Sequence, residues 1–257
     1  MQTNVGVKML EVTAIVMGKT NTIHPVLIWD EDGAILVDTG YPGQLPLFRE
    51  AMEKAGVPFD KLSKVVITHQ DLDHIGSLPA MLNESSRKIE VLAHEAELPY
   101  IQGEKRLLKV TPEAIAQALA SLPKEVPPEW RSAFKATLEN PPKAKVDTTV
   151  ADGEKLPYCG GITIIGTPGH TPGHISLYHH PSKTLISGDA MTVADGQLLG
   201  PAPQHTFDMN LAIRSLKKLA QYDIETVVCY HGGLYKGNAN ERIAELANGL
   251  QTKQQNR

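Results

Sequence analysis

The octapeptide His69-Gln70-Asp71-Leu72-Asp73-His74-Ile75-Gly76 decides how the rest of the chain is read. Four ligand-type side chains, His69, Asp71, Asp73 and His74, fall within six positions. Residues at i, i+2, i+4 and i+5 share no single helix face, and only a strand alternates at i, i+2. A loop wrapped around one or two cations uses this spacing easily. Just upstream, Val65-Val66-Ile67-Thr68 is a β-branched run that reads as a strand. A strand therefore delivers the loop, and its rigid end fixes where the side chains emerge.

Three more apolar runs end in the same way. Ile162–Gly166 leads through Thr167-Pro168-Gly169 to His170, Thr184–Ser187 through Gly188 to Asp189, and Thr226–Cys229 through Tyr230 to His231. Ligands in open α/β sheets gather just beyond strand carboxyl ends. Four His (69, 74, 170, 231) and three Asp (71, 73, 189) are too many for one tetrahedral ion. They suit two divalent cations with one bridging carboxylate and an open position for water. Ten His against two Cys agrees with imidazole and carboxylate ligation rather than thiolate. Cys159 and Cys229 read as packing residues, and two Cys make no disulfide framework.

The 257 residues alternate between β-like and helix-like segments, an α/β pattern in mixed order, read as a single domain over 1–257. Strands are expected at Met9–Met17, Pro25–Trp29, Ala34–Val37, Ile89–Ala93 and Ile175–Tyr178 besides those above, with Gly18–His24 as a loop. Helices are expected at Leu45–Ala55, stopped by Gly56, and at about Asp208–Gln221 and Asn238–Asn248. The stretch from about 94 to 145 differs, with seven prolines and two helical patterns. Thr111-Pro112 reads as an N-cap with Pro at N1, followed by Ile115, Leu119 and Leu122 on one face. Trp130, Phe134 and Leu138 mark a second helix at i, i+4, i+8. This stretch is too small to bury a core of its own and reads as a helical insertion.

Val12–Met17 is too short and too interrupted for a signal peptide, and no apolar run approaches the roughly 18–20 residues that span a bilayer. The expectation is a cytoplasmic protein without membrane contact, whose polar tail Gln251–Arg257 frays. The net charge of −4 argues against a broad nucleic-acid footprint.

HxDxDHxG, TPGHTPGH, SGDA and YHGG, following an early Asp38-Thr39-Gly40, resemble the metallo-β-lactamase-fold superfamily of metallohydrolases. The likeness runs from about Val12 to Gly233, and these motifs in this order are highly specific; the glyoxalase II and lactonase-like subgroup is the nearest in pattern. The resemblance implies a four-layer αβ/βα sandwich with metals at one edge. His69, Asp71 and His170 would hold the first ion, Asp73, His74 and His231 the second, and Asp189 would bridge. Asp38 would orient a ligand from behind, and His174 would support the site without ligating.

One residue departs from the family pattern. The usual motif is HxHxDH, and Asp71 stands where it has the second His. A carboxylate adds charge and hard oxygen, which shifts preference from zinc towards iron or manganese, although zinc accepts Asp oxygen too.

The implied activity is a metal-dependent hydrolase in which hydroxide attacks the ester, lactone, thioester or amide carbonyl of a small molecule. Asp73 is the candidate catalytic residue, both ligating and shuttling a proton. The alternative is an iron-dependent redox enzyme acting on oxygen or sulfur species. It draws on Asp71, since the flavodiiron reductases of the superfamily carry Glu there. Too few residues follow His231 for their flavodoxin-like domain, or for the glutathione-binding helical domain of glyoxalase II.

Acyl-homoserine lactonases carry a Tyr shortly after the bridging Asp. Here Ala190-Met191-Thr192-Val193 has none, leaving Tyr41 or Tyr230 as geometric substitutes. Trp130 and Phe134 form either a lid over the site or a face packed on the core or on a second copy of the chain. His24 and His205 are candidates to border the site, His94 to start a helix, and His179-His180 to form a solvated turn. Asp71→His is expected to raise the zinc-to-iron ratio of the purified protein; an unchanged ratio in elemental analysis would refute this account of the departure.

Overall fold

In a computed structural model, which describes residues 5–16 and 18–255, the apolar runs of the sequence become two six-stranded sheets. The chain up to Val150 supplies β1 (Gly6–Met9), β2 (Val12–Val16), β3 (Lys19–Ile23), β4 (Val26–Trp29), β5 (Ala34–Val37), β6 (Leu62–Ile67), β7 (Glu90–His94) and β8 (Thr148–Val150). The second half supplies β9 (Lys155–Leu156), β10 (Ile162–Gly166), β11 (Ile175–His179), β12 (Thr184–Gly188), β13 (Thr192–Ala194), β14 (Gln197–Leu199), β15 (Thr226–Cys229) and β16 (Gly233–Tyr235). The helices are α1 (Leu45–Lys54), α2 (Leu72–Ile75), α3 (Leu78–Glu84), α4 (Leu98–Ile101), α5 (Pro112–Ser121), α6 (Pro128–Glu139), α7 (Met209–Leu219) and α8 (Ala239–Gln255).

One sheet runs β1-β4-β5-β6-β7-β8 and the other β16-β15-β12-β11-β10-β9. Strands covered on both faces read as continuous apolar runs, and successive side chains take opposite faces. In β5, Ala34 and Leu36 join the cluster under α1 and α3, while Ile35 and Val37 face the second sheet. In β15, Val228 faces inward, and Val227 and Cys229 pack towards α7 and α8. The layers are therefore helix, sheet, sheet, helix, the mixed α/β sandwich that the motifs implied.

Strand direction puts one edge of each sheet to use. β5, β6 and β7 are mutually parallel. β10 and β12 both run antiparallel to β11, and β15 runs parallel to β12. The carboxyl ends of β10, β12 and β15 thus share one edge, as do those of β5, β6 and β7. The two edges are stitched together where Ile175 N–H donates to the Thr68 carbonyl at 3.1 Å.

Several expectations need correction. Met9–Met17 is not one strand: the chain breaks at Leu10-Glu11, β1 pairs with β4, and β2 pairs with β3 in a separate hairpin. The stretch from Gly18 to His24 is consequently mostly strand. Met17 and the tail residues Asn256 and Arg257 lie outside the described residues. The last helix continues to Gln255, past the expected end at Asn248. His179 is buried at the end of β11 between the Cys159 carbonyl (2.9 Å) and the Ser182 hydroxyl (2.7 Å), so only His180 is turn-like and exposed.

Between β7 and β8 lie α4, α5 and α6. The Thr111 hydroxyl accepts the Ala114 N–H at 3.1 Å, the N-cap read from the sequence. Arg131 of α6 donates to the Leu119, Leu122 and Pro123 carbonyls at the end of α5, which locks the two helices together. Among the described residues, no helix is long and apolar enough to cross a membrane.

Gly76, the last residue of the octapeptide, has an ordinary helical φ but no room for a side chain. A Cβ there would lie 2.4 Å from Pro42 N and from the Tyr41 carbonyl carbon. Backbone cannot move aside as a flexible side chain can. Gly76→Ala is expected to destabilise the protein by about 1–3 kcal/mol in urea unfolding, the usual range for overpacking.

Candidate metal centre

The cluster is built from the strand ends outward. Asp38 follows β5 directly, with φ 65, and is fully buried. Its carboxylate accepts the Thr68 N–H at 2.8 Å on one oxygen. On the other it accepts the Thr68 hydroxyl at 2.8 Å and His74 Nδ1–H at 2.9 Å. Because the Thr68 proton is committed to Asp38, Thr68 Oγ1 accepts from His69 Nδ1–H at 3.0 Å. Both imidazoles are thereby held through Nδ1 with Nε2 facing the centre.

A second chain of hydrogen bonds holds Asp189. Its N–H donates to His174 Nε2 at 3.0 Å. His174 Nδ1–H therefore donates to Thr167 Oγ1 (2.8 Å), Thr167 to Ser176 Oγ (2.9 Å), and Ser176 to the Ser187 carbonyl (3.0 Å). Burial, aided by the neighbouring imidazoles of His69 and His170, pushes His174 well below its ordinary range, as an uncharged acceptor requires. His174 acts on Asp189 and joins neither ligand group.

All seven sequence-derived candidates come together, in two groups. His69, Asp71, His170 and Asp189 form one, and Asp73, His74 and His231 the other, with the ligand atoms of each group within 4.8 Å of one another. In the first, Asp71 Oδ2 is 3.2 Å from His69 Nε2 and 3.0 Å from His170 Nε2. In the second, Asp73 Oδ2 is 3.2 Å from His231 Nε2 and 3.8 Å from His74 Nε2. Asp189 reaches both, at 3.4 Å from His170, 3.4 Å from His74 and 3.5 Å from His231.

Six buried side-chain polar atoms lack a hydrogen-bond partner among the described residues, and four of them belong here: His69 Nε2, Asp71 Oδ1, His74 Nε2 and Asp189 Oδ1. Proteins rarely leave such atoms unpaired. Nitrogen lone pairs and carboxylate oxygens converging in two groups are the donor set that divalent cations require. The residues fit two such ions.

Electrostatics are strong in the cluster. Burial alone would raise the carboxyls, but His69, His170 and Lys109 hold Asp71 well below the usual range. His74 and His231 do the same for Asp189. Burial lowers His231, yet Asp189 and Asp73 outweigh it and bring its imidazole up to about 10.

Two participants escaped the sequence reading. Lys109, in the segment between α4 and α5, places its ammonium on Asp71 Oδ2 and 2.6 Å from His170 Nε2. A lone cation within the apolar run Leu107–Val110 was its only sequence trace. Glu97, completely buried, accepts the Gln70 N–H and side-chain amide at 3.0 Å and the Gly173 N–H at 2.7 Å. It ties the first motif to the second.

The other candidates fall outside the ligand set. His24 donates from Nδ1 to the Tyr230 carbonyl at 3.2 Å and so braces the backbone before His231. His205 is exposed. His94 ends β7, and its Nδ1 accepts the Ala96 N–H at 3.1 Å. Tyr230 is buried, donates its hydroxyl to the Asp73 carbonyl and stacks on His74 with ring centroids 3.9 Å apart. It is therefore a support, not a substrate-facing group. Burial, with Asp73, Asp189 and Asp71 adding to it, raises the Tyr41 hydroxyl well above its ordinary value. Trp130 is 70% exposed, and this segment reaches the centre through Lys109 and the octapeptide through Glu97.

A family model described as the metallo-beta-lactamase superfamily matches residues 22–231. The chain is 29% identical over 229 residues to the probable metallo-hydrolase YflN of Bacillus subtilis (strain 168), covering 84% of this chain and 82% of that protein. It is 39% identical over 82 residues to a hydroxyacylglutathione hydrolase of Yersinia pestis (strain Pestoides F), 31% of this chain and 30% of that one. Among solved structures, a metallo-beta-lactamase family protein from Thermus thermophilus superposes with a TM-score of 0.68 at 23% identity, over 97% of this chain and 81% of that one.

Asp38→Asn keeps a residue that tolerates positive φ but removes the carboxylate. Metal affinity is expected to fall roughly 10–100-fold in a chelator competition assay, with secondary structure intact by circular dichroism.

Proposed function

The chain belongs to the metallo-beta-lactamase superfamily, and from that premise we propose that it hydrolyses a small-molecule ester, thioester, lactone or amide. The observation that carries this reading is the convergence of unpaired, buried His69 Nε2, His74 Nε2, Asp71 Oδ1 and Asp189 Oδ1 where the edges of the two sheets meet. Asp73, His74 and His231 would hold one ion and His69, Asp71 and His170 another, with Asp189 between them. When bound, such ions are Lewis acids that acidify water and polarise a carbonyl oxygen.

The chain supplies orientation and proton handling. His174 pins the Asp189 backbone, and Asp38 fixes the two imidazoles, so the donor atoms do not need to reorganise during a reaction. Asp73 is the most exposed of the three carboxylates, and the partly exposed His231 stands 3.2 Å from it. That side faces solvent, which supports the reading of Asp73 as the group that accepts a proton from water and releases it. Burial would raise its carboxyl, but His74 and His231 keep it below the ordinary range and therefore ionised at neutral pH. Tyr41 is the hydroxyl left to face a substrate, because Tyr230 is committed to the Asp73 carbonyl.

The short match to a hydroxyacylglutathione hydrolase supports the thioester arm of this reading. Asp71 favours a second one, an iron-dependent redox enzyme acting on oxygen or sulfur species, because a third hard carboxylate suits iron. The substrate would be a small molecule, in a cytoplasmic setting without nucleic acid or membrane.

Metal-supplemented protein should be screened against lactones, thioesters, β-lactams and phosphoesters. Turnover is expected on carbonyl substrates, and Asp189→Ala should lower kcat by roughly 10²-fold or more while the melting temperature holds. Activity confined to phosphoesters would overturn the carbonyl assignment, and unchanged turnover in the variant would overturn the role of Asp189.

A further inference from the structure

Lys109 stands where a cation of the first group would stand. Its ammonium contacts Asp71 Oδ2 and lies 2.6 Å from His170 Nε2, the lone pairs an ion in that group needs. The placement is built into the backbone. On one side Leu107 is buried in the core, and the Leu108 N–H donates to Gln70 Oε1 at 2.7 Å. Gln70 is itself clamped by Glu97. On the other side Thr111 caps α5. The backbone of residue 109 is thus held directly beside the octapeptide, and only its side chain is free to move.

Charge supports the same assignment. Asp71, in place of the usual His, adds one negative charge to this half of the centre, and Lys109 adds one positive charge back. Asp73, in the other half, is paired with His74 and His231. An ammonium and a divalent ion cannot share His170 Nε2, which has a single lone pair, and the two cations repel at that range.

We propose that Lys109 is a tethered cation occupying the place of the first ion. The chain then binds one divalent ion firmly at Asp73, His74 and His231, with Asp189, and admits a second only when the ammonium swings away. This rests on the metallohydrolase reading and makes its two halves unequal.

The test is a metal count. Wild-type protein, Lys109→Met and Lys109→Gln are expressed with manganese or zinc, desalted and analysed for metal per chain. Second-ion affinity is then measured by calorimetric titration. Wild type is expected to retain one equivalent and both variants two, with second-ion affinity at least about tenfold tighter in the variants. Two firmly held equivalents in wild type would overturn the assignment while leaving the hydrolase reading intact. One equivalent in both folded variants would also overturn it. No metal in any of the three would overturn both readings together. If one variant fails to fold, the wild-type count and the other variant still decide.

Discussion

The buried carboxylate of Asp38 is the constraint on which the centre depends. It takes three hydrogen bonds, from the Thr68 backbone, the Thr68 hydroxyl and His74 Nδ1. By consuming the Thr68 proton it also sets the tautomer of His69, which it does not touch. One group thus orients both imidazoles of the octapeptide. It can do so because β5 and β6 are adjacent and parallel, so their carboxyl ends present residues 38 and 68 side by side. The positive φ of Asp38 is the local strain accepted to aim the carboxylate there.

Around that knot the cluster balances charge. Three carboxylates stand where the two sheet edges meet, among four imidazoles and one ammonium. Buried charges persist only when paired. Burial lowers both His74 and His231, yet the carboxylates around them outweigh it, holding His74 well above its usual range and His231 at about 10. Metal ligation needs the deprotonated imidazole, so an ion arriving there must displace a proton, and affinity rises with pH until those groups are neutral. Lys109 removes part of the imbalance on the other side without any ion.

Much of this was legible in the sequence because short-range rules govern it. The apolar runs of β10, β12 and β15 appear with their bounds almost unchanged, since a strand buried on both faces leaves an unbroken apolar signature. The errors fall where pairing partners decide. Val12–Val16 reads as a continuation of Met9, yet it leaves the main sheet to pair with Lys19–Ile23. His179 reads as a turn residue, yet β11 carries it inside, where Cys159 and Ser182 satisfy its ring.

The sequence by itself determined the candidate ligand set, the order of the motifs and the α/β class, because each motif is a strand followed by a short loop. Family membership follows from the same motifs. The family resemblance implied how those donors divide; the tertiary structure brought them into two groups with Asp189 reaching both, and showed the hydrogen bond by which His174 holds the Asp189 backbone. It alone brought in Glu97 and Lys109, which come from a segment with no motif of its own. Their positions depend on packing of that segment against the octapeptide loop, and contact between residues distant in the chain is a property of the fold, not of local spacing.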